Sequence, residues 1–268
     1  MTMARTKLRD GVELVYEIRG KLKDVPPVVL IHSLGMDHTF WKEVTPALTD
    51  ETAVLVYDCR GHGRSDKPAG PYRVEGFAED LAQLLDHIGW RSAVIAGASM
   101  GGCITLAFAA AHPERATGLG LFDTTAWYDA PDKWEERART AETKGLGALL
   151  EFQTTRWFTD SFRASRKDVL DDSVAVFLRN TPEAYAETCR MLGACNMTAA
   201  LPQLRMPARI AVGDEDYATP VAMSQTLHRE IAGSTLTVIH NARHLTPLEC
   251  PQQIAAELEK LIEAVPAQ

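Results

Sequence analysis

The feature that most constrains this chain is an alternation of short apolar runs with helix-like stretches, which begins near residue 28, breaks off near residue 123 and resumes near residue 208. Val28 to His32, Ala53 to Tyr57, Ala93 to Ala96 and Leu119 to Phe122 are the runs of the first part. Between them lie a stretch around Trp41 to Leu48, the amphipathic Val74 to Ile88, and the small, apolar Gly101 to Ala111, which closes at His112-Pro113. In the second part Ala208 to Val212, Val221 to Ile231, Thr235 to His240 and Cys250 to Ala264 repeat the rhythm. Strands that are apolar throughout have no solvent face, so they belong in a parallel sheet covered by helices on both sides. The expected class is α/β. Ahead of the rhythm, Asp10-Gly11 joins Arg5 to Arg9 and Val12 to Ile18 as a β-hairpin, and Pro26-Pro27 ends it.

Between about Thr124 and Ala200 the strands vanish and the text becomes helical, as in Trp134 to Arg139 and Val169 to Leu178. Because the α/β pattern resumes afterwards, residues 1–123 and 201–268 are expected to form one core. Residues 124–200 are then a helical cap inserted over the C-terminal edge of the sheet, where open α/β folds keep their sites.

With 46% hydrophobic and 24% charged residues, the chain has material for a large core. A net charge of -8 repels polyanions, which argues against nucleic acid or an acidic membrane as partner. A small neutral or anionic substrate in a locally basic pocket stays compatible. Five cysteines without a C-x-x-C pair suggest neither a disulfide framework nor a zinc site, but free thiols in a reducing compartment. Met1 to Gly20 lack the apolar run of a signal peptide or membrane anchor, so a cytoplasmic location is expected. The oligomeric state is left open, a homodimer included.

Gly97-Ala98-Ser99-Met100-Gly101 is a G-x-S-x-G placed between a strand and a helix, the setting in which a sharp elbow pushes a serine out of the sheet edge. Ser99 is therefore the candidate nucleophile. A serine hydroxyl needs a base that is itself oriented by an acid, in the chain order Ser, Asp, His for such an elbow. His228 falls in a helix and His240 ends a strand, whereas His244 lies in the loop after the last strand and is the favoured base. The acid is Asp216, far enough past its strand to turn back, ahead of Asp214, which is better placed to bind turn amides. Two N–H donors must face the tetrahedral oxyanion: Met100 supplies one, and Leu34 the other, with Ser33 next in order. No metal or organic cofactor is required.

These residues resemble the α/β-hydrolase superfamily in Ile31-His32-Ser33-Leu34-Gly35, in Tyr57 to Asp66, at the Ser99 elbow and in Asn241-Ala242-Arg243-His244-Leu245. Within it the chain is similar to 3-oxoadipate enol-lactonases, which carry S-L-G at the oxyanion loop and G-x-x-D-x-A-T-P at the acid loop. Cap segments extend the resemblance: Thr124-Thr125-Ala126, Trp134 with Arg137, Gly145-Leu146, Arg156 to Thr159, Thr181 to Tyr185 and Gly193-Ala194-Cys195. Asn196 to Ala200 depart from it, standing where that family usually has an acidic residue. The resemblance implies an α/β-hydrolase fold and opening of a small lactone through an acyl-enzyme, with 3-oxoadipate enol-lactone the leading substrate. It also makes the Asp58 to Asp66 turn structural, so His62 is a turn residue and not a base. Trp134, Arg156 and Trp157 are the cap residues expected to contact an anionic, oxygen-rich substrate. A broader carboxylesterase or perhydrolase would use the same triad, and a ligand-binding receptor on a hydrolase scaffold is the alternative of another class.

Overall fold

The computed structural model describes residues 3–48 and 52–265. The apolar runs become strands β3 (Val28–Ile31), β4 (Val54–Asp58), β5 (Ala93–Ala98), β6 (Ala116–Phe122), β7 (Ala208–Gly213) and β8 (Thr235–Ile239), preceded by β1 (Ala4–Lys7) and β2 (Glu13–Arg19). They form one sheet in the order β1-β2-β4-β3-β5-β6-β7-β8. β1 and β2 pair antiparallel, as does β2 with β4, and the remaining pairs are parallel. Every residue of β3, β4 and β5 is buried, which is why these segments carry no polar alternation.

The flanking helices are α1 (Thr45–Leu48), α2 (Val74–Ile88), α3 (Met100–Ala111), α9 (Val221–Glu230), α10 (Thr246–Glu249) and α11 (Pro251–Ala264), and α4 to α8 lie between β6 and β7. These last are Pro131–Lys144, Leu150–Trp157, Asp160–Ser165, Lys167–Leu178 and Pro182–Ala194, a helical insertion of the kind an α/β-hydrolase cap forms. α4 lies along α8, and Arg190 of α8 reaches Glu135 and Glu142 of α4 at 2.9 and 2.8 Å. Gly193 leaves room for the Trp134 side chain, which a Cβ there would approach to 2.9 Å.

Most boundaries agree with expectation to within about two residues, and three departures are larger. The stretch around Trp41 to Leu48 is a 3-10 turn, His38–Trp41, followed by the short α1. Pro46 has no N–H to continue a helix from the preceding turn, and it suits the first positions of a new one. β6 begins at Ala116, because Ala116 and Gly118 pair with Ala93 and Val94 around a bulge at Thr117, although neither Thr117 nor Gly118 is apolar. A Cβ at Gly118 would come within 3.1 Å of Leu261, so the glycine lets α11 approach the sheet. The separate turn α10 follows Leu245, with Pro247 in its first positions. Among the described residues no helix is long and apolar enough to cross a membrane.

From β3 the chain runs to β4 on one side, and then returns to place β5 on the other. This reversal of winding opens a crevice at the C-terminal ends of β3 and β5. Ile31 stands opposite Gly97 in that pair, so the loops that follow the two strands emerge side by side.

Candidate active site

Ser99 caps α3 with φ 54° and ψ -114°, a backbone that non-glycine residues seldom adopt. The bend brings backbone against backbone. A Cβ at Gly97 would lie 2.2 Å from the Gly101 carbonyl, and one at Gly101 would lie 2.2 Å from the Ile31 oxygen, so only glycine fits either position. The elbow is tied down where Ser99 N–H donates to the Phe122 carbonyl at 2.9 Å and the Thr124 hydroxyl donates to the Ser99 carbonyl at 2.7 Å.

His244 Nε2 stands 3.0 Å from Ser99 Oγ, and its Nδ1 stands 2.8 Å from Asp216 Oδ2. The three side chains are buried. Asp216 Oδ1 accepts the N–H groups of Ala218 and Thr219 at 2.7 and 2.9 Å, and the Thr219 hydroxyl donates to Oδ2 at 2.7 Å. Burial alone would push this carboxyl up; the neighbouring His244 and these donors outweigh it and hold Asp216 below the usual carboxylate range. The structure thus brings together the serine, acid and base expected from the sequence, from the ends of β5, β7 and β8.

The competing candidates have other partners. Asp214 faces His240 Nδ1 at 2.5 Å, and His240 is largely exposed; His228 meets the Ser234 hydroxyl at 2.9 Å. His62 is buried in the turn after β4, with Nδ1 3.1 Å from the Arg60 carbonyl, and burial drives its imidazole down to about 3. Asp37, His38 and Asp58 are the one group with metal-type donors close together among the described residues. Asp58 there accepts the backbone N–H groups of His38 and Arg64, both at 2.8 Å, and Asp37 accepts the N–H of Thr39 at 2.9 Å, so the group braces turns.

One anchor escaped the sequence reading. Asp123, at the end of β6 with φ 46°, accepts Gly213 N–H at 3.2 Å, and Thr246 N–H and hydroxyl at 3.0 and 2.6 Å. It thereby joins the strand that leads to Asp216 with the segment that follows His244. Burial and the nearby Asp216 push its carboxyl up.

Beside the elbow, Met36 N–H donates to the Ser33 carbonyl at 3.1 Å and Gly35 has φ 74°, closing a tight turn over residues 33–36. Leu34 N–H has no hydrogen-bond partner among the described residues, and Met100 N–H is at the open N-terminus of α3. Both expected donors are therefore unspent.

Ser33, Leu34, Ser99 and His244 share a cavity with Tyr128, Trp134, Arg137, Gln153, Arg156 and Trp157. All three cap residues expected at the site line it. Its open volume is about 10 Å³, close to that of one water. Tyr128, Trp134, Arg137 and Arg156 also line an outer basin of about 610 Å³, bounded further by Phe152 and Tyr217.

A sequence model described as the alpha/beta hydrolase fold matches residues 26–251. The chain is an α/β-hydrolase. This hydrolase is 30% identical to 3-oxoadipate enol-lactonase 2 of Acinetobacter baylyi over 258 residues, 96% of either chain. It superposes on the enol-lactonase of Burkholderia xenovorans with a TM-score of 0.94 at 32% identity, covering 97% of this chain and 100% of that one. A thermophilic esterase from Thermogutta terrifontis, solved with malate bound, gives a TM-score of 0.91 at 30% identity and 99% coverage of both chains. The hydrolase is thus a serine-type carboxylic ester hydrolase, closely related to enzymes of the 3-oxoadipate enol-lactonase kind.

Tyr128, Arg137 and Gln153 of this hydrolase line the cavity in addition to the cap residues expected there. Two of them had a signal. Arg137 lies three positions after Trp134, and Gln153 lies three and four before Arg156 and Trp157, spacings that share a helix face. Tyr128 precedes α4 in an irregular stretch, where no periodicity points.

Proposed function

We propose that this hydrolase opens a small, carboxylate-bearing lactone through an acyl-enzyme on Ser99, with 3-oxoadipate enol-lactone the leading substrate. The supporting observation is the state of two arginines. Arg137 and Arg156 face the Ser99 cavity, and neither has a carboxylate partner among the described residues. Arg137 instead donates to the Tyr185 hydroxyl at 2.7 Å and lies over the Trp134 ring, while Arg156 lies over Phe152. Burial and then the Arg137 charge lower Arg156 to about 10, so an incoming anion relieves two like charges at once. The names of the enol-lactonase relatives agree with such a substrate, as does malate, a dicarboxylate, in the esterase.

In this mechanism His244 takes the Ser99 proton as Oγ attacks the lactone carbonyl, Asp216 holds the imidazole, and Leu34 and Met100 N–H groups receive the oxyanion. Collapse breaks the ring C–O bond, and His244 returns the proton to the leaving oxygen. Water then attacks the acyl carbon with the same histidine as base; collapse breaks the Ser99 Oγ–acyl bond, and His244 returns the proton to Oγ as the ring-opened acid leaves. An enol leaving group tautomerises to a ketone, which draws ring opening forward. The core, residues 1–123 and 201–268, supplies the chemistry, and the cap, residues 124–200, supplies selectivity. Free cysteines fit a reducing, cytoplasmic location. Tyr128, Trp134, Arg137 and Arg156 line both the inner cavity and the outer basin, so substrate reaches Ser99 past them. That basin also supports a second reading, a carboxylesterase for longer acyl groups.

Arg156→Met separates the two readings. It should lower kcat/KM for a carboxylate-bearing lactone by about 10- to 100-fold, the range of a lost charge-assisted hydrogen bond. A neutral aryl ester should change by less than about threefold. An equal fall on both substrates counts against anion recognition and for the esterase. Tyr128 offers a further test: its buried hydroxyl has no hydrogen-bond partner among the described residues and lies on the cavity wall. Tyr128→Phe should raise KM for the lactone by about 5- to 10-fold if a substrate oxygen accepts from it. An unchanged KM would assign the hydroxyl no substrate contact.

A further inference from the structure

We infer that the cap holds the oxyanion hole in shape, with Asn180 as a positioning residue for the Leu34 N–H; this rests on the reading of Ser99 as nucleophile. Asn180 follows α7, is buried, and its Nδ2 donates to the Gly35 carbonyl at 2.8 Å across the cap–core junction. The same amide group also donates to the Phe177 carbonyl at 2.9 Å, which fixes it to the end of its own helix.

Two rigid peptide planes transmit that bond. The Gly35–Met36 peptide accepts from Asn180 through its carbonyl and donates through Met36 N–H to the Ser33 carbonyl at 3.1 Å. The Ser33 carbonyl belongs to the same trans peptide as Leu34 N–H, and in such a peptide the two groups point in opposite directions. Holding Ser33 C=O into the turn therefore turns Leu34 N–H outward, toward the side where Ser99 emerges from the neighbouring strand. Leu34 lines the Ser99 cavity in keeping with this.

Packing reinforces the link. A Cβ at Gly35 would come within 2.8 Å of the Phe177 ring, so this ring rests directly on the turn. Phe177 makes edge contacts with Trp157 and Tyr185, at centroid distances of 5.5 and 5.3 Å. The Tyr185 hydroxyl receives hydrogen bonds from Arg137 and from Gln153, at 2.7 and 2.9 Å. The side chains that line the anion side of the cavity and the turn that carries the oxyanion donor are thus two sides of one packed cluster. A cap seated on the core supplies both together.

Asn180→Leu keeps the volume and removes the donor. We expect kcat to fall by about 10- to 100-fold on lactone and neutral ester alike, less than the loss on deleting an oxyanion donor outright, with KM within about twofold. An arylboronic acid, which forms a tetrahedral adduct on a catalytic serine, should lose affinity in the same proportion, while the ring-opened product acid binds as before. If boronate and product affinities fall together, or kcat is unchanged, the inference is overturned. Asn180→Ser, whose hydroxyl is too short to reach Gly35, must give the same split if Asn180→Leu fails to fold. Wild-type protein that binds no boronate would refute the nucleophile itself, whereas equal boronate binding by wild type and variant refutes only the role of Asn180.

Discussion

Ser99→Ala should reduce kcat/KM on any lactone or ester that the protein turns over by about 10⁴- to 10⁶-fold, leaving the fold intact. The size follows from the geometry. Ser99 Oγ stands 3.0 Å from His244 Nε2, so its removal takes away the hydroxyl that the base activates and leaves only direct attack by water. Full activity in the alanine variant would end the acyl-enzyme reading. The same position stores strain, because a β-carbon is held at φ 54°. Ser99→Gly should therefore be inactive yet more stable by about 1 kcal/mol, visible as a higher melting temperature. A lower Tm would mean that the elbow conformation costs the serine little.

Asp216→Asn should cost about 10⁴-fold in kcat with little effect on KM. Asp216 accepts at Oδ2 from His244 Nδ1 and thereby keeps the other ring nitrogen free to take the Ser99 proton. An amide can present its N–H₂ to Nδ1 and stabilise the opposite tautomer, in which Nε2 already carries a proton. Asp214→Asn should change kcat by less than about threefold, since Asp214 pairs with the exposed His240. The reverse ranking would move the acid to Asp214. Acid stability provides a second readout. Because the Asp216 carboxyl is held below its ordinary value, its pairing contributes fully above the unfolded-state value of about 3.9 and is lost as pH falls through the lower folded one. Wild type should thus lose stability relative to Asp216→Asn over that acid range, measured by denaturant melts.

How much of this was legible depended on whether a residue's role is set locally. The elbow was readable because its requirements lie within five residues: Gly97 and Gly101 are forced by contacts at 2.2 Å, and the flanking strand and helix are adjacent in sequence. Asp216 and His244 could be chosen because each follows a strand by a few residues, and position after a parallel strand fixes the edge of the sheet to which a loop belongs. The oxyanion turn was readable for the same reason. Cap residues were harder. Arg137 and Gln153 reach the site only because α4 and α5 present one particular face to the core, and local spacing identifies a face without saying where it points. Asp123 and Asn180 were not legible at all. Each acts through hydrogen bonds to distant segments, Gly213 and Thr246 for the first and Gly35 for the second. Only the fold brings those partners together.

The account turns on a covalent bond to Ser99. Acid-quenching the protein during turnover of a slow ester, then locating the acyl group by peptide mass spectrometry, tests it most directly. The adduct should sit on the peptide that contains Ser99 and be absent from Ser99→Ala. An acyl group on another side chain, or steady turnover by Ser99→Ala with no adduct formed, would contradict it.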